Sequence, residues 1–130
     1  MGMYTGLRVD IKLKEEFVPI IEDLMELHNW TKVAEKYPKC GPIVNFSQDH
    51  RSDFIPFGAI LYVPWYRDDP RWDDRLDEKR WVFQCSLKNY HRTIEKFLSN
   101  VLPEIAEQVN EVWTQYEEEK EPTRHLNLLS

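Results

Sequence analysis

Glycine is scarce in this 130-residue chain, and its four residues are Gly2, Gly6, Gly41 and Gly58. A dinucleotide-binding fingerprint and a P-loop both need glycines closely spaced around a phosphate-binding turn. Neither spacing occurs here, which argues against the common nucleotide-binding enzymes. A small anion can still be bound without such a loop, by arginine forks and aromatic stacking.

Cysteine is also rare, and Cys40 and Cys85 stand far apart and outside any paired motif. Cys85 alternates with large apolar residues, which is typical of a small side chain buried in a strand. His50 and His91 likewise lack the short two-ligand spacing of a zinc site. The sequence therefore predicts free thiols in a reducing compartment, and no bound metal.

Long apolar runs are missing as well. No stretch approaches the length that a bilayer span requires. The N-terminal segment MGMYTGLRVD lacks the basic-then-apolar layout of a secretory signal. We therefore expect a cytoplasmic protein that does not bind membranes.

Positive charge is in deficit, because 17 Lys and Arg face 23 Asp and Glu, a net charge of −6. The acidity lies in residues 93–130, where three basic residues oppose eight glutamates. Residues 54–92 are mixed, with seven basic and six acidic residues. Non-specific nucleic-acid binding needs a broad basic field and is not expected. A local basic pocket for one small anion is compatible with the central region.

Apolar residues are plentiful, at 42 % of the chain with 13 % aromatic, enough for the core of one domain. Residues 6–14 alternate strictly, which predicts a strand with one face open to water or to a partner. Helical spacing predicts a helix from about Val18, and Thr31 is the predicted cap of a second, short helix. Several Pro and Gly residues predict an irregular loop over 38–57, pinned down by its own apolar side chains.

Two more strands are predicted over residues 58–65 and 80–87, paired as a hairpin with a long charged connection. Apolar residues at three- and four-residue steps predict a long helix over 89–116, kinked or restarted at Pro103. The resulting order, β-α-α-β-β-α, predicts an α+β fold. Its core is a three-stranded antiparallel or mixed sheet with helices on one face.

The charged connection carries the residue types that bind anions and partner proteins. One alternative is that its arginines and aspartates neutralise one another. Trp72 is either an exposed anchor or folds back over the sheet. The predicted ligand- or partner-binding residues are Trp65, Tyr66, Arg67, Arg71, Trp72, Arg75, Arg80, His50 and Arg51.

The cluster Asp49-His50-Arg51-Ser52-Asp53 permits a different chemistry. His50 beside a carboxylate can act as a general base and Ser52 as a nucleophile, but the strand-turn-helix context of a nucleophile elbow is missing. The other interpretation is a solvated turn whose aspartates cap backbone amides. We predict no catalytic residue, and a small hydrolase using His50 is kept as an alternative.

The segments MYTGLRVDIKLKEEF, SDFIPFGAILYVP and WVFQCSLKNY resemble small uncharacterised proteins of phages and prophages of Gram-positive bacteria. The resemblance covers Met3 to about Tyr116, and the loop 67–80 departs from the pattern. It transfers no catalytic residue. It implies a context, because small phage accessory proteins often occupy a host enzyme, a defence complex or a defence signalling nucleotide.

Together these features predict a non-enzymatic phage or prophage binding protein, in the host cell cytoplasm, that inhibits a host factor such as a defence component. The alternative is sequestration of a small phosphorylated ligand such as a cyclic nucleotide signal. The expected partner is a host or defence protein, or a small anionic nucleotide, with no cofactor. We expect one domain over residues 1–120 and a tail over 121–130. The sheet edge near Pro64 and the leucines of the tail also permit a homodimer.

Overall fold

The computed structural model describes residues 3–59 and 69–129. Its elements in chain order are β1 (Tyr4–Leu13), α1 (Val18–Leu27), α2 (Trp30–Lys36), α3 (Gly41–Ser47), α4 (Phe54–Phe57), β2 (Arg75–Asp77), β3 (Arg80–Lys88), α5 (Thr93–Lys96), α6 (Leu102–Ile105), β4 (Ala106–Tyr116) and β5 (Thr123–Arg124). Short 3-10 turns occupy Glu15–Phe17, Pro70–Trp72 and Tyr90–Arg92. No helix in these two ranges has the length and apolar character needed to cross a membrane.

One antiparallel sheet organises the fold, with the strand order β2-β3-β1-β4-β5. The central strand β1 pairs with β3 on one side and with β4 on the other. The α+β class is confirmed, but the predicted count of three strands is wrong, because the described part alone contains five. The strand β5 comes from the segment predicted as a tail, where Thr123 pairs with Thr114.

The helices cover the face of the sheet on which apolar residues alternate. These core residues of β1 and β3 are at most 2 % exposed, and they are Leu7, Val9, Ile11, Leu13, Trp81, Phe83, Cys85 and Leu87. Phe97 lies at the centre of the helical layer, and its ring centroid is 6.4 Å from those of both Trp30 and Trp81. The apolar faces predicted for the first strand and for strand 80–87 are therefore the faces that the core buries.

The first helices follow the sequence signals closely. The helix α1 begins at Val18, as predicted, with Pro19 in its first turn. The cap of α2 is Asn29 and not Thr31, because Asn29 Oδ1 accepts a hydrogen bond from Lys32 N at 2.8 Å. The predicted irregular loop 38–57 contains α3 and α4, so regular structure holds much of it in place.

The prediction of a helix through residue 116 is wrong beyond Ile105, because residues 106–116 form β4. Core-facing residues lie two apart on β1 but three apart on β4, since bulges between Asp10 and Ile11 and between Lys12 and Leu13 add one residue each. The core-facing pairs are Val9↔Val112, Ile11↔Val109 and Leu13↔Ala106. A three-residue step has the appearance of helical spacing, which is the physical reason for the error.

The helical segment before β4 is interrupted, as the position of Pro103 predicts. A π-helical turn at Phe97–Val101 joins α5 to α6, and Pro103 lies in the first turn of α6. The predicted cap Asn89 does accept a hydrogen bond, from Ile94 N at 2.8 Å.

The second face of the sheet is covered too, so the prediction that it is open to water or to a partner is wrong. On β1, Arg8 and Asp10 are 3 % and 2 % exposed. The connection before β2 folds over this face and places Trp72 beside Arg8. Residues 60–65 of the predicted strand 58–65 lie outside the described residues, so that strand and its hairpin stay a prediction.

Candidate functional site

Those predicted binding residues that the structure describes do not form one site. Trp65, Tyr66 and Arg67 lie outside the described residues. Arg71 and Trp72 belong to the connection over the second face of the sheet, and Arg75 and Arg80 are the first residues of β2 and β3. His50 and Arg51 lie between α3 and α4, in the helical layer.

The arginines of the connection have acidic or backbone partners. Arg80 Nε and Nη2 donate to the two carboxylate oxygens of Asp10 at 3.0 and 2.7 Å. Arg71 forms an ion pair with Glu111. Arg75 Nη1 donates to the Arg71 carbonyl at 3.0 Å. This arrangement matches the alternative in which most of these charges are neutralised within the protein.

Trp72 is a packing residue and not an exposed anchor. Its side chain is 2 % exposed, and the Cζ atoms of Arg8 and Arg71 lie 5.3 and 4.9 Å from its ring centroid. Arg8 is held in turn by Gln84 Oε1 at 3.3 Å and by Asp69 at 3.5 Å. Of the two alternatives for Trp72, the structure has the one that folds back over the sheet.

Asp10 is the buried carboxylate of this second face. Burial raises its pKa, but hydrogen bonds from Arg80 and Asn110 and the charge of Arg80 outweigh burial, so the net pKa lies below its ordinary value. Asn110 Nδ2 donates to Asp10 Oδ1 at 3.1 Å. The cluster therefore ties β1 to both β3 and β4, which is a structural role.

Asp49, at the start of the predicted loop cluster, fixes the local chain path. Its carboxylate accepts hydrogen bonds from Arg51 N at 2.8 Å, from Thr93 Oγ1 at 3.0 Å and from Lys96 Nζ at 3.1 Å. Burial raises the pKa of Asp49, and these three hydrogen bonds lower it by more, so the net pKa is below its ordinary value. Asp49 is thus a charged anchor between the loop and α5.

Asp53, at the other end of the cluster, is an anchor as well. It accepts hydrogen bonds from Trp30 N at 2.7 Å and from Asn29 Nδ2 at 3.2 Å, which ties the loop to the start of α2. Among the described residues, neither Asp49 nor Asp53 hydrogen bonds to His50. Asp49 and Asp53 thus do not provide the carboxylate–histidine pair of the hydrolase alternative, and their contacts match the capped turn.

Arg51 borders a cavity of about 270 Å³ at the end of the sheet where β1 begins and β3 ends. We call it the Arg51 pocket. The described residues that line it are Tyr4, Arg51, Phe54, Ala59, Ser86, Leu87 and Lys88. Two are cationic, two are aromatic, and no carboxylate is among them.

The cations of the Arg51 pocket contact aromatic rings. Arg51 Cζ lies 4.6 Å from the ring centroid of Tyr90 and 5.8 Å from that of Phe54. Lys88 Nζ lies 5.7 Å from the ring centroid of Tyr4. These distances are within the range of cation–π attraction. In the described part of the chain, neither Arg51 nor Lys88 forms an ion pair.

One wall of the pocket depends on Gly58, which ends α4. A Cβ atom at Gly58 would lie 2.5 Å from the Ser86 carbonyl oxygen and 2.8 Å from that of Phe54. Only glycine permits so close an approach between α4 and β3. This approach brings Phe54 beside Ser86, and both residues line the pocket.

Tyr90 does not line the pocket but contacts Arg51 beside it, and the connection from β3 to α5 holds Tyr90 in place. His91 and Arg92 both have φ of 59°, in the left-handed region, which costs about 1–2 kcal/mol for each non-glycine residue. Thr93 Oγ1 donates to the Tyr90 carbonyl at 3.1 Å and so braces this turn. Backbone strain of this kind concentrates at functional sites.

Neither cysteine is placed for chemistry on this surface. Both thiols are free, and Cys85 is fully buried. Burial, followed by the nearby charge of Asp74, raises the pKa of the Cys85 thiol well above its ordinary value, so the thiol is protonated. Among the described residues, no three His, Cys, Asp or Glu side chains are grouped so that they can bind a metal ion.

The sequence interpretation included Arg51 and His50 but missed Tyr4, Phe54, Lys88 and Tyr90. Two of these, Phe54 and Tyr90, are 44 % and 45 % exposed. Tyr4 and Lys88 meet only because β1 and β3 pair in one particular register. The sequence did contain one indication of a binding residue at Tyr90, because it comes two residues after the strand that ends at Lys88 and directly before His91 and Arg92.

Comparison of the chain with protein-family models, with curated proteins and with solved structures found no match. The resemblance to phage and prophage proteins therefore stays a prediction.

Proposed function

We propose that this protein is a non-enzymatic binding protein that sequesters a small phosphorylated ligand with a planar base in the Arg51 pocket. One observation carries the proposal. Arg51 and Lys88 are two cations that have no carboxylate partner among the described residues, and they lie against aromatic rings in a protein whose net charge is −6. In such a protein, a basic and aromatic pocket is a local exception to the overall field.

The chemistry of the two cations suits a phosphate group. Arg51 makes no side-chain hydrogen bond in the described part of the chain, so its N–H donors are available to phosphate oxygens. A guanidinium binds phosphate through two parallel hydrogen bonds, and a lysine adds a compact point charge. Phe54 and Tyr90 are half-exposed and offer ring faces. Stacking of a base on such a ring is worth about 1–3 kcal/mol.

The size of the pocket limits the ligand. Its volume of about 270 Å³ is slightly below the range of ligand sites, which runs from about 300 to 1,000 Å³. The cavity therefore suits a phosphate and its sugar, while the base lies against the exposed rings at the rim. A mononucleotide, linear or cyclic, fits this description better than a dinucleotide.

The wider expectation, a phage or prophage protein that inhibits a host factor, is proposed from the resemblance alone. Removal of a host nucleotide signal is one form of such inhibition. A protein target is the other form. Its predicted anchor, Trp72, is buried, so the exposed Phe54 and Tyr90 are the aromatic side chains better placed to contact a partner.

Calorimetry with AMP, GMP and their cyclic forms tests the proposal. At least one of these nucleotides is expected to bind saturably, and Arg51→Gln or Lys88→Gln is expected to weaken binding at least tenfold. Arg75→Gln is the matched control, because it removes one exposed arginine on the other side of the sheet. Absence of binding by all four nucleotides, or equal affinity in Arg51→Gln, would contradict the proposal.

A pull-down from host lysate distinguishes the protein-target form. Capture of one protein that Phe54→Ala abolishes, together with no nucleotide binding, would assign the same surface to a protein partner.

A further inference from the structure

A larger cleft, of about 730 Å³, lies between α3 and the helical segment 93–105. One face of each helix lines it. From α3 come Pro42, Asn45 and the neighbouring Gln48, and from the facing segment come Ser99 and Asn100. The cleft is separate from the Arg51 pocket, since the two share no lining residue among those described.

The cleft is lined by uncharged polar groups that have no partners among the described residues. Asn45, Gln48, Ser99 and Asn100 are exposed, and none of their side chains hydrogen bonds within residues 3–59 and 69–129. Carboxamides and hydroxyls can each donate and accept. The four side chains therefore offer both kinds of hydrogen bond to a ligand.

The charges around the cleft do not favour an anion. Asp49 and Lys96 both line it, and they neutralise each other in an ion pair at 3.1 Å. The other charged lining residue among those described is Glu104, which repels phosphates and carboxylates. The ligand is therefore of a different class from the one proposed for the Arg51 pocket.

The described walls of the cleft also provide no exposed aromatic platform for a planar ligand. Its one described aromatic lining residue, Phe46, is 3 % exposed. Pro42 and Pro103 add aliphatic C–H surface at the rim. A ligand with many hydroxyl groups and some C–H surface matches these walls better than a base or another flat ring.

The backbone of one wall is unusual. Ser99 and Asn100 lie in the π-helical turn Phe97–Val101, a rare geometry that is frequent at functional sites. Pro103 has no N–H, so the hydrogen bond that an α-helix would give to the Ser99 carbonyl cannot form. The π turn thus sets the positions of two polar residues of the cleft.

We propose that this cleft binds an uncharged, polyhydroxylated ligand of the size of a mono- or disaccharide, held mainly by Asn45, Gln48 and Asn100. The volume falls within the range of small-molecule sites. Known modes of peptide binding use a sheet edge, an apolar or aromatic groove, or an arginine cluster. The described walls of this cleft supply none of these, which favours a saccharide over a peptide.

The test is an NMR titration of the full chain with glucose, maltose and N-acetylglucosamine. At least one sugar is expected to shift the side-chain amide signals of Asn45, Gln48 and Asn100 saturably. Asn100→Ala and Gln48→Ala are each expected to weaken binding at least tenfold. Gln108→Ala is the control, since it removes an exposed carboxamide of β4 outside the cleft. Backbone spectra that match the wild type establish that each variant is folded.

Three results would overturn the proposal. They are the absence of saturable shifts with all three sugars, equal affinity in Asn100→Ala, and tighter binding of N-acetyl-triglycine amide than of any sugar in the cleft. Titration of AMP into the sugar-saturated protein tests whether the two sites are separate. AMP is expected not to displace the sugar. Failure of nucleotide binding would leave the sugar result intact.

Discussion

The Asp49 carboxylate accepts a hydrogen bond from the Arg51 backbone N–H at 2.8 Å. This contact fixes the backbone at Arg51 and therefore the direction of its side chain. The same carboxylate accepts from Thr93, whose single hydroxyl proton is shared with the Tyr90 carbonyl oxygen at 3.1 Å. Asp49 thus positions both Arg51, which lines the pocket, and Tyr90, whose ring contacts Arg51. It acts through these neighbours and is a positioning residue.

Replacement of Asp49 by alanine is expected to reduce both stability and nucleotide affinity. The change removes the carboxylate that accepts from the Arg51 N–H, the Thr93 hydroxyl and Lys96 Nζ, and loss of such an acceptor costs about 1–3 kcal/mol in the free energy of unfolding. Urea denaturation measures this loss, with Asp73→Ala as the exposed control. Unchanged stability in Asp49→Ala would show that the anchor is dispensable.

Replacement of Gly58 by alanine is expected to destabilise the fold by about 1–3 kcal/mol, because the new methyl group overlaps the Ser86 and Phe54 carbonyl oxygens. Gly41→Ala is the matched control, since nothing lies within 4 Å of a Cβ atom there. Thermal unfolding of the two variants gives the comparison. Similar midpoints for both would contradict the close approach of α4 to β3.

Replacement of Trp72 by alanine is expected to cost about 3–5 kcal/mol of stability, the usual range for a large buried aromatic. Arg71→Ala, which removes an exposed partner in the ion pair with Glu111, is expected to cost at most about 1 kcal/mol. Chemical denaturation distinguishes the two. If Trp72→Ala were as stable as the wild type but bound a partner more weakly, Trp72 would instead be an exposed anchor for that partner.

Stability is expected to fall in acid, partly because of Asp10. The pKa of Asp10 is below its ordinary value of 3.8 in the folded protein. A lowered folded pKa means that the stabilisation is fully present above about pH 5 and is lost as the pH falls through 3.8 and then through the folded pKa. Urea unfolding at pH 6 and pH 3 measures the loss. The gap between wild type and Asp10→Asn is expected to shrink at pH 3.

An Asp77→Asn variant provides the control for this titration, because Asp77 is exposed on the edge strand β2. Its free energy of unfolding at pH 6 is expected to be close to that of the wild type. Asp49 also has a lowered pKa and contributes in the same direction, so some acid sensitivity is expected to remain in Asp10→Asn.

The strict alternation of β1 and β3 made their core faces predictable, because a buried face repeats every second residue. The strand β4 was not predictable in this way. Its bulges stretch the core-facing interval to three residues, and only the pairing with β1 reveals them. The covered second face was hidden for a related reason, since Arg8 and Asp10 are charged and yet buried by their partners.

The candidate pocket was only partly predictable for the same physical reason. Arg51 stands in a conspicuous polar cluster, but its ring partners Phe54 and Tyr90 are 36 positions apart in the sequence. Their meeting depends on Gly58, on the Asp49 anchor and on the register between β1 and β3. None of these long-range relationships leaves a local pattern.

The central position of β1 sets the order in which amide hydrogens exchange with deuterium. Its backbone is paired on both sides and covered on both faces, so its protons are expected to exchange only through global opening. The two-residue strand β5 is expected to exchange early, through fraying. Tyr4, at the start of β1, thus belongs to a part of the protein that opens slowly. Arg51 belongs to a loop, which can adjust its position to a bound ligand more easily.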